Sequence, residues 1–144
     1  MKKYLLSMLL LSGCTTASWV VPQPTFTTKD PADALNRIAS AVQAHCGGLK
    51  IVNEESNVVI GSWAAGKHAG GIVLTQCIVT LLNGDEQVRD VRVTFAVRHC
   101  PEGDIPADLD ALAQSCERNN TVPEALYKEL QLVAERIQAA VATR

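Results

Sequence analysis

The side chains with most chemistry in this 144-residue chain are its cysteines and histidines, and they come as neighbours: His45-Cys46 and His99-Cys100, with His68 as a third histidine. Cysteine and histidine together ligate zinc, and an imidazole beside a thiol can activate it as a nucleophile. The spacing favours neither. No C-x-x-C is present, and Cys46, Cys77, Cys100 and Cys116 form an even set that an oxidising compartment would close into two disulfides. No metal, no cofactor and no thiol nucleophile is therefore expected.

Gly66-Lys67-His68-Ala69-Gly70-Gly71 has the glycine content of a phosphate cradle. A P-loop needs a strand before it, a helix after it and Gly-Lys-Ser/Thr at the junction. A strand-like run follows here and the Ser/Thr is missing, so the stretch reads as a flexible connection between strands. Lys67 and His68 remain as partner contacts, because exposed loops carry function. Glu54-Glu55 falls in a turn, and Asp108 and Asp110 do not share a helix face, so neither pair is placed for acid–base chemistry. No catalytic constellation results, and the chain reads as a non-enzyme.

Charge and composition exclude two further classes. The formal net charge is −2 with no basic stripe, which argues against nucleic-acid binding. Aromatics make up only 4% of the chain, too few for a platform that stacks sugars or bases.

The N-terminus gives an address. Lys2 and Lys3 precede an apolar run, Tyr4 to Leu11, and small residues follow. This is the order of a secretory signal, and the run is well below the roughly 20 residues that span a bilayer. Its ending, Leu11-Ser12-Gly13-Cys14, resembles a bacterial lipobox. The resemblance implies cleavage before Cys14, diacylglyceryl on the Cys14 sulfur and fatty acylation (palmitate) of the new N-terminus, a two-signal anchor that holds stably in a membrane. Loss of Lys2 and Lys3 with no acid takes the formal net charge from −2 to −4. Thr15 stands where aspartate would imply inner-membrane retention, which points to the outer membrane, facing the periplasm. Residues 1–13 are thus a signal peptide, 14–28 (Thr/Pro-rich) a flexible tether and 29–144 a single α+β domain, with Val20-Val21 or Phe26 available for a short edge strand.

Within the domain, Asp30-Pro31 opens a helix over 31–45 with Leu35, Ile38 and Val42 on one face, stopped by Gly47-Gly48. Strands follow at Leu49–Asn53, Val58–Trp63, Ile72–Leu82 and Val88–Cys100. The last two form a hairpin around Asn83-Gly84-Asp85, whose tight turn sets Cys77 opposite Val91. One face of the hairpin is then apolar and the other carries Arg92, Thr94 and Arg98 to solvent. Helices follow at 106–117 and, from a Thr121-x-x-Glu124 capping box, to about Ala142. The expected fold is α+β: two layers, a four-stranded antiparallel sheet with helices packed on one face. Cys77 on the covered face and Cys46 at the first helix end predict a Cys46–Cys77 disulfide. Cys100 and Cys116 flank a short connection and predict the second.

The run from Ala34 to Trp63, a helix followed by Gly-Gly-Leu-Lys-Ile-Val and Asn-Val-Val-Ile-Gly-Ser-Trp, is similar to small envelope lipoproteins with helix-grip domains. The likeness is one of residue types and carries no functional residue over. The expectation is a non-catalytic outer-membrane lipoprotein that binds an envelope protein through Arg92, Arg98, Trp63, Lys67 or His68. The alternative is a small hydrophobic ligand held between the last helix and the sheet, in a cavity lined by Val73, Val93, Leu130 and Ile137.

Overall fold

The longest run of β-branched and apolar residues builds the centre of the molecule. In a computed structural model that describes residues 18–28, 31–82 and 88–142, Gly71–Leu81 and Arg89–Cys100 pair antiparallel over ten residue pairs, from Ile72 opposite Cys100 to Leu81 opposite Val91. Signal peptide, lipobox and hairpin loop, with Cys14 and Asn83-Gly84-Asp85, lie outside the described residues. The elements are β1 (Ser18–Val20), β2 (Thr25–Thr28), a 3-10 turn (Pro31–Asp33), α1 (Ala34–His45), β3 (Leu49–Asn53), β4 (Val58–Gly61), β5 (Ala64–His68), β6 (Gly71–Leu81), β7 (Arg89–Cys100), α2 (Leu109–Ser115), β8 (Glu117–Arg118), β9 (Thr121–Pro123) and α3 (Glu124–Ala142).

The fold is α+β, but the main sheet has seven strands, not four. Its order is β2-β7-β6-β4-β3, with β5 also on β6 and β8 also on β7; β1 and β9 form a separate pair. Three strands of this sheet, β2, β5 and β8, were hidden, as was the β1–β9 pair. Ala64–His68 is not a loose connection: it pairs with Gly71–Thr75 around a two-residue turn, Ala69-Gly70. Gly70 and Gly71 adopt φ of +95° and +146°, and a Cβ on Gly71 would overlap the Cys100 carbonyl oxygen. Residues 18–28, assigned to the tether, carry β1 and β2. Phe26 is the edge-strand residue: it is buried opposite Val91 and joins the core. The two residues of β8 follow Cys116 directly.

The hairpin register also differs. Cys77 lies opposite Phe95, not Val91, so β7 is shifted by four residues relative to a three-residue turn. An even shift preserves the alternation, so every side chain keeps its face. Val73, Cys77, Val79 and Leu81 of β6 and Val91, Val93, Phe95 and Val97 of β7 point to one side. There they bury against Ile38, Ala41 and Val42 of α1 and Leu126, Leu130, Ala134, Ile137 and Val141 of α3. Each fully buried aliphatic side chain contributes about 1.5–3 kcal/mol.

The even-numbered residues point the other way. Ile72, Leu74 and Cys100 form a second apolar cluster with Ala113 and Cys116, against which Leu109 and Leu112 pack. Helix α2 therefore lies on the face opposite α1 and α3, and the expectation that the helices pack on one face is corrected. The Cys100–Cys116 disulfide, with Cα atoms 4.8 Å apart, fastens it there. Asp108 caps α2 by accepting from Ala111 N at 3.1 Å, so the helix starts later than 106. Lys50 of β3 forms an ion pair with Asp110 at its other side. The Cys46–Cys77 disulfide, with Cα atoms 6.1 Å apart, fastens the end of α1 to β6. Thr121 is not an N-cap. Its N–H and hydroxyl both donate to Asn119 Oδ1, and α3 begins at Glu124.

The two staples serve two clusters and their removal should read differently. Cys46→Ala/Cys77→Ala lowers global stability by about 2–4 kcal/mol in urea unfolding. Cys100→Ala/Cys116→Ala raises amide exchange across Leu109–Ser115 while α1 and α3 stay protected.

Candidate binding surface

Two recesses flank the sheet, one on each face. On the side of α1 and α3, the seam is closed along most of its length: Val93 and Ile137 are fully buried in the core. It opens past the end of α1, where β5 and β6 meet the first turns of α3. The groove there encloses about 210 Å³. Its walls are the Cys46–Cys77 disulfide, Val73, Leu126, Leu130 and Val133, and His45, His68 and Glu129 also line it. On α3, Val133 is half-buried at this groove while Ala134 takes the buried place. Of the four residues expected to line a ligand cavity, Val73 and Leu130 do so and Val93 and Ile137 do not.

The three histidines separate. His45 and His68 share the groove, and the His68 ring lies over Gly66. His99 is elsewhere: its Nε2 donates to the Thr121 carbonyl oxygen at 2.7 Å and ties β7 to β9. Among the described residues no three histidine, cysteine, aspartate or glutamate side chains come together as a metal site.

On the opposite face a wider basin of about 580 Å³ is lined by residues of β6, β7 and β8 and by Trp63. It brings together two of the sequence candidates, Trp63 and Arg98, and adds Arg118, Asn119 and Asn120. Trp63 does not end a strand, since β4 stops at Gly61. The indole sits in the break between β4 and β5, half-buried against the Ile72–Leu74 cluster. Gln76 spans the same break by donating from Nε2 to the Gly61 carbonyl oxygen at 3.0 Å. Arg98 is on β7 and Arg118 directly opposite it on β8. Arg92 shares the face but lies six residues along β7, roughly 20 Å away. Lys67 stands opposite Ile72 at the β5–β6 hairpin, and Lys67 and His68 line a smaller recess with Glu102.

Beyond α2 this face carries a partly exposed apolar row. Ile51, Ile60 and Ile78 are successive cross-strand partners on β3, β4 and β6, and Thr94 of β7 ends the row. Ile51 is 44% exposed, and Ile60 and Ile78 are half-buried. The next row is Asn53, Val58, Thr80 and Arg92. Sequence reasoning found Arg92 and Arg98 by alternation. It missed the isoleucine row, which needs the pairing of three strands, and Arg118, which needs β8.

No protein-family model matches this chain, and no curated protein matches it. No helix among the described residues is long and apolar enough to cross a membrane.

Trp63 both supports α2 and lines the basin. Trp63→Ala should cost about 2 kcal/mol in urea unfolding, below the roughly 3–5 kcal/mol of a fully buried tryptophan, and Trp63→Phe should restore most of it.

Proposed function

We propose that this chain is a non-catalytic lipoprotein, anchored in the outer membrane through Cys14, whose domain faces the periplasm and binds another envelope protein across the open face of its sheet. The observation that carries this reading is the partly exposed row of Ile51, Ile60 and Ile78 beside Arg92. The exposed face of an antiparallel sheet is ordinarily polar. An aliphatic patch with an arginine rim has the composition of a protein interface. Two disulfides suit an oxidising compartment, and the lipobox-like Leu11-Ser12-Gly13-Cys14 supplies the anchor.

A second reading assigns a small apolar ligand to the groove beside α3. Its support is the apolar wall of disulfide, Val73 and Leu130. The groove, at about 210 Å³, is smaller than the roughly 300–1,000 Å³ of sites for drug-sized ligands. It suits a single side chain or short alkyl group and not a lipid.

The anchor is tested by fractionation. Cys14→Ala should lose the acyl chains and leave the outer-membrane fraction. The intact mass of the native form should begin at Cys14 with acyl chains and gain four hydrogens on reduction of its two disulfides. The interface is tested by affinity capture from solubilised envelopes. Ile51→Glu and Arg92→Glu, both at exposed positions, should each weaken recovery of the partner at least tenfold with little change in melting temperature. Unchanged recovery would remove this face as the binding surface.

A further inference from the structure

We infer that Arg98 and Arg118 form a two-guanidinium clamp for a carboxylate, carried by an acidic segment of the partner protein. The two residues are direct register partners on β7 and β8 and project to the same side. Side chains so placed have Cβ atoms about 4.5–5.5 Å apart, and like charges directly opposite one another destabilise a strand pair. Among the described residues nothing offsets this. Neither guanidinium makes a hydrogen bond or ion pair among the described residues. Glu117, the neighbour of Arg118, stands opposite His99 and so faces the other side of the sheet.

The basin also carries amide groups that can donate. Asn119 Oδ1 is already taken by Thr121 N at 3.1 Å and Thr121 Oγ1 at 2.7 Å, which leaves its amide group to donate. The carbonyl oxygen of Asn120 accepts from Val21 N at 2.9 Å. Two planar guanidiniums and these amides match the lone pairs of a carboxylate, which accepts forked hydrogen bonds from arginine. The chain is net acidic, so this concentration of positive charge is local.

A peptide carboxylate fits better than a membrane surface. The site is concave, and Trp63 and Arg98 are half-buried within it. None of the large exposed apolar side chains lines it, so it presents nothing to insert between lipids. Only the source of the carboxylate rests on the protein-partner reading; the clamp itself does not.

The test uses the full mature protein in detergent and a fluorescein-labelled, end-capped hexaglutamate peptide, read by anisotropy. Inorganic phosphate and phosphatidylglycerol vesicles serve as competing probes. Arg98→Gln and Arg118→Gln should each weaken peptide binding roughly tenfold or more, the effect of losing a charged hydrogen-bond donor, and lower its salt dependence. Each variant should unfold at the same or a higher urea concentration than the native protein, because like-charge repulsion is relieved. Arg136→Gln, at an exposed position of α3, should change binding less than twofold. Peptide binding unaffected by Arg98→Gln/Arg118→Gln would overturn the clamp. So would vesicle binding lost in that double variant with no peptide binding in the native protein, which would make the ligand a lipid phosphate. Peptide binding through the clamp, with no envelope protein captured by the native chain, would leave the site standing and refute the proposed function.

Discussion

The structure depends on the alternation of side chains along the paired β6 and β7. Ten residue pairs hold these strands in one register, and a slip of one residue would exchange the faces. Odd-numbered positions supply the core beneath α1 and α3; even-numbered positions supply the α2 cluster, the isoleucine row and the arginines. Each disulfide follows this division. Cys77 is odd-numbered on β6 and ties α1 to the covered face, whereas Cys100 is even-numbered on β7 and ties α2 to the other. Two covalent staples thus fix helices on opposite sides of one sheet, and α2 covers only one end of its side.

That incomplete cover is where stability and function meet. The covered face is closed, with Val93 and Ile137 fully buried, and leaves one small groove where α1 ends. The other face keeps a sealed end under α2 and an open end with three isoleucines. The basin with Trp63, Arg98 and Arg118 lies where the sheet edge is interrupted, between the segments of β7 paired with β2 and with β8. Ordered strands on either side give this surface a rigid support, which lowers the conformational cost of binding.

Much of this was legible in the sequence, and the reasons for the rest are specific. The Cys46–Cys77 pairing followed from the face that Cys77 occupies, and Cys100–Cys116 from the short connection these two cysteines flank. The position of α2 was missed, although Cys100 has the parity of Arg92 and Arg98 and so carried the signal. Strand β5 was hidden because Ala-Ala-Gly-Lys-His has low strand propensity, and only its partner β6 makes it a strand. Strands β1 and β2 flank Pro22 and Pro24, residues that edge strands tolerate. The register of the hairpin depended on a tight turn that β6 and β7 do not make. Arg118 had a signal: continuing the pairing of Arg98 with Arg118 and His99 with Glu117 brings Cys100 opposite Cys116, so the predicted disulfide already carried the register of β8.

The most direct measurement is site-specific photo-crosslinking in intact cells. A photoreactive amino acid would replace Ile60 or Thr94 on the open face, or Leu132 on the exposed side of α3. The account predicts a discrete protein adduct from Ile60 and Thr94 and none from Leu132. An adduct from Leu132 alone, or no protein adduct from the open face, would contradict it.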